Sequence, residues 1–176
     1  NILAITFTNK ASREMKERVM ELVGFDAVWV STFHSLCVRI LRREIGKIGY
    51  ENSFSIYDAD DSLRLVKLCI KELNINEKQF PPKYIQNLIS GAKNELIGPK
   101  GYTEINGCDF RLAKIAQCYE LYQKKLVAAN ALDFDDIIFV AVRLFKEVPE
   151  VLDKYQNRFK YIMVDEYQDT NTAQYR

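Results

Sequence analysis

The strongest constraint on the fold comes from short, nearly apolar segments that contain no charged residue. Residues 2–7 (Ile-Leu-Ala-Ile-Thr-Phe), 28–32 (Val-Trp-Val-Ser-Thr) and 161–164 (Tyr-Ile-Met-Val) are of this kind. Their length and their content of β-forming residues predict strands, and the first fits a strand buried on both faces of a parallel sheet. Amphipathic helical patterns follow the first two segments. This strand–helix alternation predicts an α/β layer.

Helical patterns fill most of the remaining sequence. Between Gly49 and Asn130 helices are predicted alone, and the α/β pattern resumes afterwards. The predicted helices begin at a cap at Asn9 (to about Leu22), at Phe33 (to about Gly49), at Asp58 or Asp60, at Pro81-Pro82, at Phe110 (to Ala129), at a cap at Asp133 and at Pro149, with a loop around residues 98–101.

The change of pattern divides the chain into two parts. Residues 1–48 and 131–176 form the α/β part, and residues 49–130 form an inserted all-helical subdomain. The chain begins within a strand and without Met, and residues 171–176 begin a helix with no room to finish. We therefore expect an internal part of a longer protein.

The composition is that of an ordinary globular protein, with 48% apolar and 28% charged residues. Because the net charge is only +1, affinity for a polyanion must come from local patches. No apolar run approaches the roughly 20 residues that span a bilayer, and no signal peptide is seen. The four cysteines are irregularly spaced and His34 is the only histidine, which argues against a zinc site and for a cytoplasmic protein with reduced thiols.

Two adjacent carboxylates, Asp165 and Glu166, follow the last predicted strand directly. In an open α/β sheet, ligands bind at the carboxyl ends of the strands. An Asp at this place can hold a hydrated Mg²⁺ that bridges nucleotide phosphates, and a neighbouring Glu can deprotonate the attacking water. For these two residues taken alone, a polar strand end or a helix cap is the commoner explanation.

The longer sequence context favours the catalytic interpretation. Residues 164–171 (Val-Asp-Glu-Tyr-Gln-Asp-Thr-Asn) resemble motif II of the superfamily 1A helicases, the UvrD/Rep/PcrA family, and PcrA-type members most closely. Residues 6–11 with 13–15 resemble motif Ia, residues 31–35 (Ser-Thr-Phe-His-Ser) motif Ib and residues 132–136 (Leu-Asp-Phe-Asp-Asp) motif Id. Four motifs in the family order make a specific signal that covers the whole chain.

The resemblance implies a partial RecA-like (P-loop NTPase) motor domain, with residues 49–130 as its helical insertion, in a protein that uses ATP and Mg²⁺. Glu166 would be the catalytic base and Asp165 the Mg²⁺ ligand, with Gln168 and Asp169 in support. The family's Gly-Lys-Thr phosphate loop is absent from this chain, so we expect the chain alone to be inactive. Ser12, where many relatives have Ala, is a small departure.

The resemblance also implies a track for single-stranded DNA and a contact with the single-strand/duplex junction. Phe7 and Phe134 would line base pockets, while Thr8, Asn9, Thr32 and His34 would contact backbone or bases. From the residues alone, Phe7 could equally belong to the core and Thr8 or Asn9 could be a helix cap. The basic run at Arg39, Arg42, Arg43 and Lys47 is by default a solvated helix face.

Three functions stay open from the sequence. The first is a part of an ATP-dependent 3′→5′ DNA helicase or translocase, including the helicase part of a helicase–nuclease. The second is a module that binds nucleic acid without turnover. The third is an unrelated Mg²⁺-dependent α/β hydrolase that uses Asp165 and Glu166.

Overall fold

A computed structural model describes residues 2–24 and 28–176. The chain divides into two compact units, residues 1–52 with 140–176 and residues 53–139. The elements are β1 (Ile2–Thr6), α1 (Asn9–Val23), β2 (Val28–Thr32), α2 (Phe33–Glu44), β3 (Ser55–Tyr57), α3 (Ala59–Glu72), α4 (Pro82–Asn94), α5 (Pro99–Asn106), α6 (Phe110–Ala128), β4 (Ala131–Asp133), α7 (Phe134–Glu147), α8 (Pro149–Arg158), β5 (Tyr161–Val164) and α9 (Thr172–Tyr175).

The first unit contains a parallel sheet in the order β2-β1-β5. The register pairs Thr6 with Thr32 and Ile5 with Val164, so the carboxyl ends of the three strands lie at one edge. Leu3, Ala4 and Ile5 of the central strand are buried, as the apolar pattern of residues 2–7 predicted. The α/β prediction is therefore confirmed.

The strand at residues 161–164 has a different environment from β1. The strand itself is confirmed, but Tyr161, Ile162 and Met163 are 65%, 62% and 59% exposed. In the described part of the chain β5 has a strand neighbour on one side only, β1. Its apolar side chains therefore form an exposed surface on this chain.

Helix ends correct two sequence predictions in the first unit. The N-cap of α1 is Thr8 rather than Asn9, because Thr8 has extended backbone angles and its hydroxyl accepts a hydrogen bond from the Ala11 N–H. The second helix ends earlier than predicted, at Glu44, and continues as a 3₁₀ turn, Ile45–Ile48. Gly49 then ends it with a φ of +88°, a conformation that glycine adopts without strain.

The second unit packs α3, α4 and α6 around a core that includes Val66, Ile85, Ile115 and Tyr119. Asp58 caps α3, which settles the predicted choice between Asp58 and Asp60. The predicted loop at residues 98–101 is wrong, since Pro99 occupies the first turn of α5.

The prediction of helices alone for residues 49–130 is also wrong, because β3 pairs in parallel with β4. Each of these strands has only three residues, too few to show a periodic pattern. Residues 131–139, which the sequence pattern placed in the α/β part, group with the second unit in the structure. No helix in the described ranges is long and apolar enough to cross a membrane.

Candidate nucleotide and DNA site

The two carboxylates lie where the sequence placed them, at the carboxyl end of β5. The Asp165 N–H donates to the Ile5 carbonyl at 2.9 Å, which extends the pairing of β5 with β1 by one residue. The side chains of Asp165 and Glu166 are both exposed. They are therefore accessible to a ligand at this edge of the sheet.

The backbone turns sharply at Glu166, which has φ +51° and ψ +43°. This left-handed backbone conformation costs a residue other than glycine about 1–2 kcal/mol, and residues in it cluster at functional sites. The Gln168 amide donates to the Glu166 carboxylate, and the Asp169 N–H donates to the Glu166 carbonyl at 2.9 Å. The structure thus brings Gln168 and Asp169 together with Glu166.

The alternative role of helix capping does not fit this geometry. The helix that follows, α9, has Asn171 as its N-cap, and Asn171 and Gln174 bond reciprocally in a capping box. Glu166 precedes a short 3₁₀ turn, Tyr167–Asp169, without a capping bond from its side chain. The carboxylates of Asp165 and Glu166 are therefore not used for the cap of α9.

The exposed carboxylates at this edge allow only a partial coordination of a metal ion by the protein. Within residues 2–24 and 28–176, no three His, Cys, Asp or Glu side chains form a group that could hold a metal ion. Mg²⁺ keeps several waters and is bound by one or two carboxylates together with substrate phosphates. The exposed Asp165 carboxylate suits such a partial coordination.

The turn after β1 carries Phe7, Thr8 and Asn9. Phe7 is half-buried, with its ring centroid 5.5 Å from that of the buried Phe33. Thr8 and Asn9 are exposed, although the Thr8 hydroxyl also caps α1. Part of the Phe7 ring is therefore packed, while Thr8 and Asn9 face solvent.

The end of β2 carries Thr32 and His34. Thr32 is buried and caps α2, since its hydroxyl oxygen accepts from the Ser35 N–H at 3.2 Å and donates to the Ser35 hydroxyl at 2.9 Å. Burial lowers the pKa of His34 below its ordinary value. His34 is thus neutral near pH 7 and can act there as a hydrogen-bonding group rather than as a cation.

The parallel register brings these loops to one edge of the sheet. Helices α1 and α2 both begin at this edge, at the ends of β1 and β2, and Asp165 follows β5 beside them. The N-termini of helices carry unpaired N–H groups and partial positive charge, and both favour the binding of phosphate groups there.

Phe134 lies in the second unit, as the first residue of α7. Its side chain is 57% exposed and lines a cavity of about 410 Å³ beside α3 and α4. Its flanking residues are fixed by reciprocal bonds: the Asp136 N–H donates to Asp133 Oδ1 at 2.8 Å, and the Asp133 N–H donates to Asp136 Oδ2 at 3.3 Å. The predicted cap at Asp133 is confirmed, and the capped turn bears the exposed ring of Phe134.

The sequence did not assign Lys93, which the structure places behind this turn. Its ammonium is fully buried, 2.6 Å from Asp133 Oδ2 and 2.8 Å from Asp136 Oδ1. The Tyr122 hydroxyl donates to Asp133 Oδ2 at 2.7 Å. The sequence did indicate that Lys93 is buried, because Lys93 continues the apolar stripe of Ile85 and Ile89 on α4.

The fold and the site place the chain among open α/β proteins whose functional loops lie at the carboxyl ends of parallel strands. Residues 1–176 match the family described as the UvrD/REP helicase N-terminal domain. The chain therefore belongs to this family, as its motifs predicted.

Individual relatives agree with this assignment. The chain is 53% identical over 177 residues to the ATP-dependent DNA helicase PcrA of Bacillus subtilis (strain 168), covering 99% of this chain and 24% of the relative. Proteins of the same name from Staphylococcus aureus (strain Mu50) and Staphylococcus epidermidis are 52% identical over 177 and 178 residues, with the same coverage. The chain thus spans about a quarter of the length of these curated relatives, and its similarity is to PcrA-type members.

Proposed function

We propose that this chain is part of an ATP-dependent 3′→5′ DNA helicase or translocase. The observation that carries the proposal is the position of Asp165 and Glu166 at the end of β5, beside the ends of β1 and β2 that bear Phe7 and Thr32. A nucleotide site and a DNA track on one edge of one sheet would couple hydrolysis to movement along DNA. The similarity to proteins named ATP-dependent DNA helicase PcrA supports the same function.

In this function the carboxylates have separate roles. Asp165 would hold Mg²⁺, which supplies charge neutralisation at the nucleotide phosphates. Glu166 would accept the proton of the attacking water. The Gln168 amide bonds one oxygen of Glu166 and so orients the carboxylate, while the other oxygen stays available.

The phosphate-binding loop would come from another part of the full-length protein. No Gly-Lys-Thr or Gly-Lys-Ser sequence occurs in these 176 residues. Such a loop binds the triphosphate through its lysine and its backbone amides. Because the loop is not in this chain, we infer that the chain alone does not turn over ATP. The exposed apolar side of β5 offers a place for the strand that precedes such a loop.

The DNA track would use the residues that the sequence motifs assign to DNA. Phe7 and Phe134 would stack on bases, and Thr8, Asn9, Thr32 and His34 would contact bases or backbone. We propose that the α/β part and its insertion serve as one motor domain, with residues 53–139 as the inserted subdomain. Contact with a single-strand/duplex junction belongs to this proposal.

The test is steady-state ATP hydrolysis by the full-length protein, measured with and without a single-stranded oligonucleotide. The proposal expects hydrolysis that requires Mg²⁺ and is stimulated by DNA, together with unwinding of a duplex that has a 3′ tail. DNA binding without any hydrolysis would instead support a binding module. Hydrolysis that is indifferent to DNA would support an unrelated hydrolase.

A further inference from the structure

A groove in the first unit carries basic side chains to which the function proposed above gives no role. This β2 groove encloses about 770 Å³ beside β2 and is lined by Lys16 of α1, Arg39 and Arg43 of α2, and Arg158 at the end of α8. No carboxylate is among the described residues that line it. Since the net charge of the chain is only +1, this concentration of cations is a local feature.

The structure separates the basic run of α2 into two sets. Arg42 donates to the Asn52 carbonyl at 2.9 Å, and Lys47 pairs with Glu44 at 3.4 Å. Arg39 and Arg43 instead line the β2 groove and are exposed. The helix face is therefore not uniformly solvated, and part of it belongs to a defined concave surface.

Two of the arginines are held in place by one aromatic ring. The guanidinium carbons of Arg39 and Arg158 lie 5.0 Å and 4.8 Å from the ring centroid of Trp29. Phe159 packs on the same indole, with ring centroids 5.3 Å apart. Stacking leaves the N–H forks of a guanidinium free, and it reduces the rotamer freedom that would be lost on binding an anion.

The groove is continuous with the proposed DNA track. Asn9 and Thr32, which the proposed function assigns to DNA, line the same groove as Arg39 and Arg158. A strand that contacts Asn9 and Thr32 would therefore reach the arginines without leaving this surface. Hydroxyl groups of Ser12, Ser31 and Ser35 supply further donors along it.

We propose that the β2 groove binds phosphates of single-stranded DNA and extends the track beyond the strand ends. The inference rests on the proposed function, because it takes Asn9 and Thr32 as the start of the path. Guanidinium forks match phosphate oxygens in two parallel hydrogen bonds, and the local excess of positive charge attracts a polyanion. An acidic segment of a protein partner is the competing occupant.

The test is the salt dependence of oligo-dT binding by the full-length protein, measured by fluorescence anisotropy. Each neutralised phosphate of a single strand contributes about 0.7 to the slope of log K against log salt concentration. The double variant Arg39→Gln/Arg158→Gln is expected to lower this slope by about 1.4, whereas Arg39→Lys/Arg158→Lys keeps most of it. Circular dichroism and thermal melting check that both variants fold.

The matched control is Arg111→Gln, since Arg111 also lies over an aromatic ring, 5.7 Å from the centroid of Phe80, but in the second unit. Its slope should equal that of the unmodified protein. A slope unchanged in the folded Gln double variant overturns the inference, and loss of polyglutamate binding in that variant would assign the groove to a protein partner.

Phe134→Ala tests the proposed function separately, because loss of a neutral ring lowers DNA affinity without changing the salt slope.

Discussion

Lys93 Nζ lies 2.8 Å from Asp136 Oδ1, and both side chains are fully buried. Asp133, 2.6 Å from the same ammonium, completes a charged triad. Burial alone would lower the pKa of Lys93, but the carboxylates of Asp136 and Asp133 outweigh it and raise that pKa above its ordinary value. The lysine therefore stays charged, and it compensates carboxylates that also fix the turn around Phe134.

Replacing Lys93 by Met should destabilise the protein by about 3–5 kcal/mol, because buried carboxylates would lose their counter-charge. Urea unfolding of the full-length protein, followed by circular dichroism, measures the change. Lys125→Met is the control, since Lys125 pairs with Glu72 at 2.7 Å in the same unit but both side chains are partly exposed. The control should cost much less stability than Lys93→Met, because solvent screens a partly exposed pair. Equal losses in the two variants would contradict a special role of the triad.

The stability should also depend on pH through Asp136. Burial raises the pKa of Asp136 to about 6, although Lys93 opposes the shift, while the ordinary value is 3.8. Between these two pH values the folded protein keeps a proton that the unfolded chain has released, so the contribution of Asp136 is complete below about pH 4 and is lost as the pH rises through about 6.

The measurement compares unfolding free energies of the unmodified protein and Asp136→Asn across this range. The unmodified protein should lose more stability with rising pH than the variant does. Other carboxylates, such as Glu44 beside Lys154, have a lowered pKa and act in the opposite direction, but they are common to both proteins. Parallel pH curves would rule out a titration of Asp136 in this range.

The sequence was sufficient for features that depend on local pattern and on motif order. An uncharged strand that ends in two carboxylates identified the place of Asp165 and Glu166, and the register of β1 with β5 agrees with it. The sequence was insufficient to predict the ion pair of Lys93, because its partner Asp133 lies 40 residues away. The place of Lys93 on the apolar stripe of α4 indicates burial, but periodicity in one sequence does not identify a partner so far along the chain.

Smaller errors have equally physical causes. Thr8 and Asn9 are both good N-caps, and only the backbone angles decide between them. The exposure of β5 depends on which strands lie beside it, which the apolar composition of residues 161–164 does not contain.

Phe134→Ala should weaken binding of single-stranded DNA by about 1–3 kcal/mol, roughly 5- to 150-fold, if the ring stacks on a base. Phe110→Ala is a closely matched control, because Phe110 is also an exposed first residue of a helix after an Asp cap. Anisotropy titrations with the full-length protein measure both. Equal affinities of the two variants would remove Phe134 from the track.

Phe7→Leu should lower DNA affinity by about 1 kcal/mol or more while changing stability by less than about 1.5 kcal/mol. Leucine keeps an apolar contact with Phe33 but offers no aromatic face for a base. Phe145→Leu is the control variant for both measurements, since Phe145 is likewise a half-buried ring, packed against Tyr155. A loss of stability without loss of affinity would make Phe7 a core residue only.

The most direct test of the central claim is Glu166→Gln in the full-length protein, with ATP hydrolysis and ATP binding measured on the same preparation. The amide keeps the size of the side chain and its place beside Gln168, but it cannot accept the proton of water. We expect DNA-stimulated hydrolysis to be abolished while nucleotide affinity stays near that of the unmodified protein. Hydrolysis at an undiminished rate would contradict the assignment of Glu166 as the catalytic base.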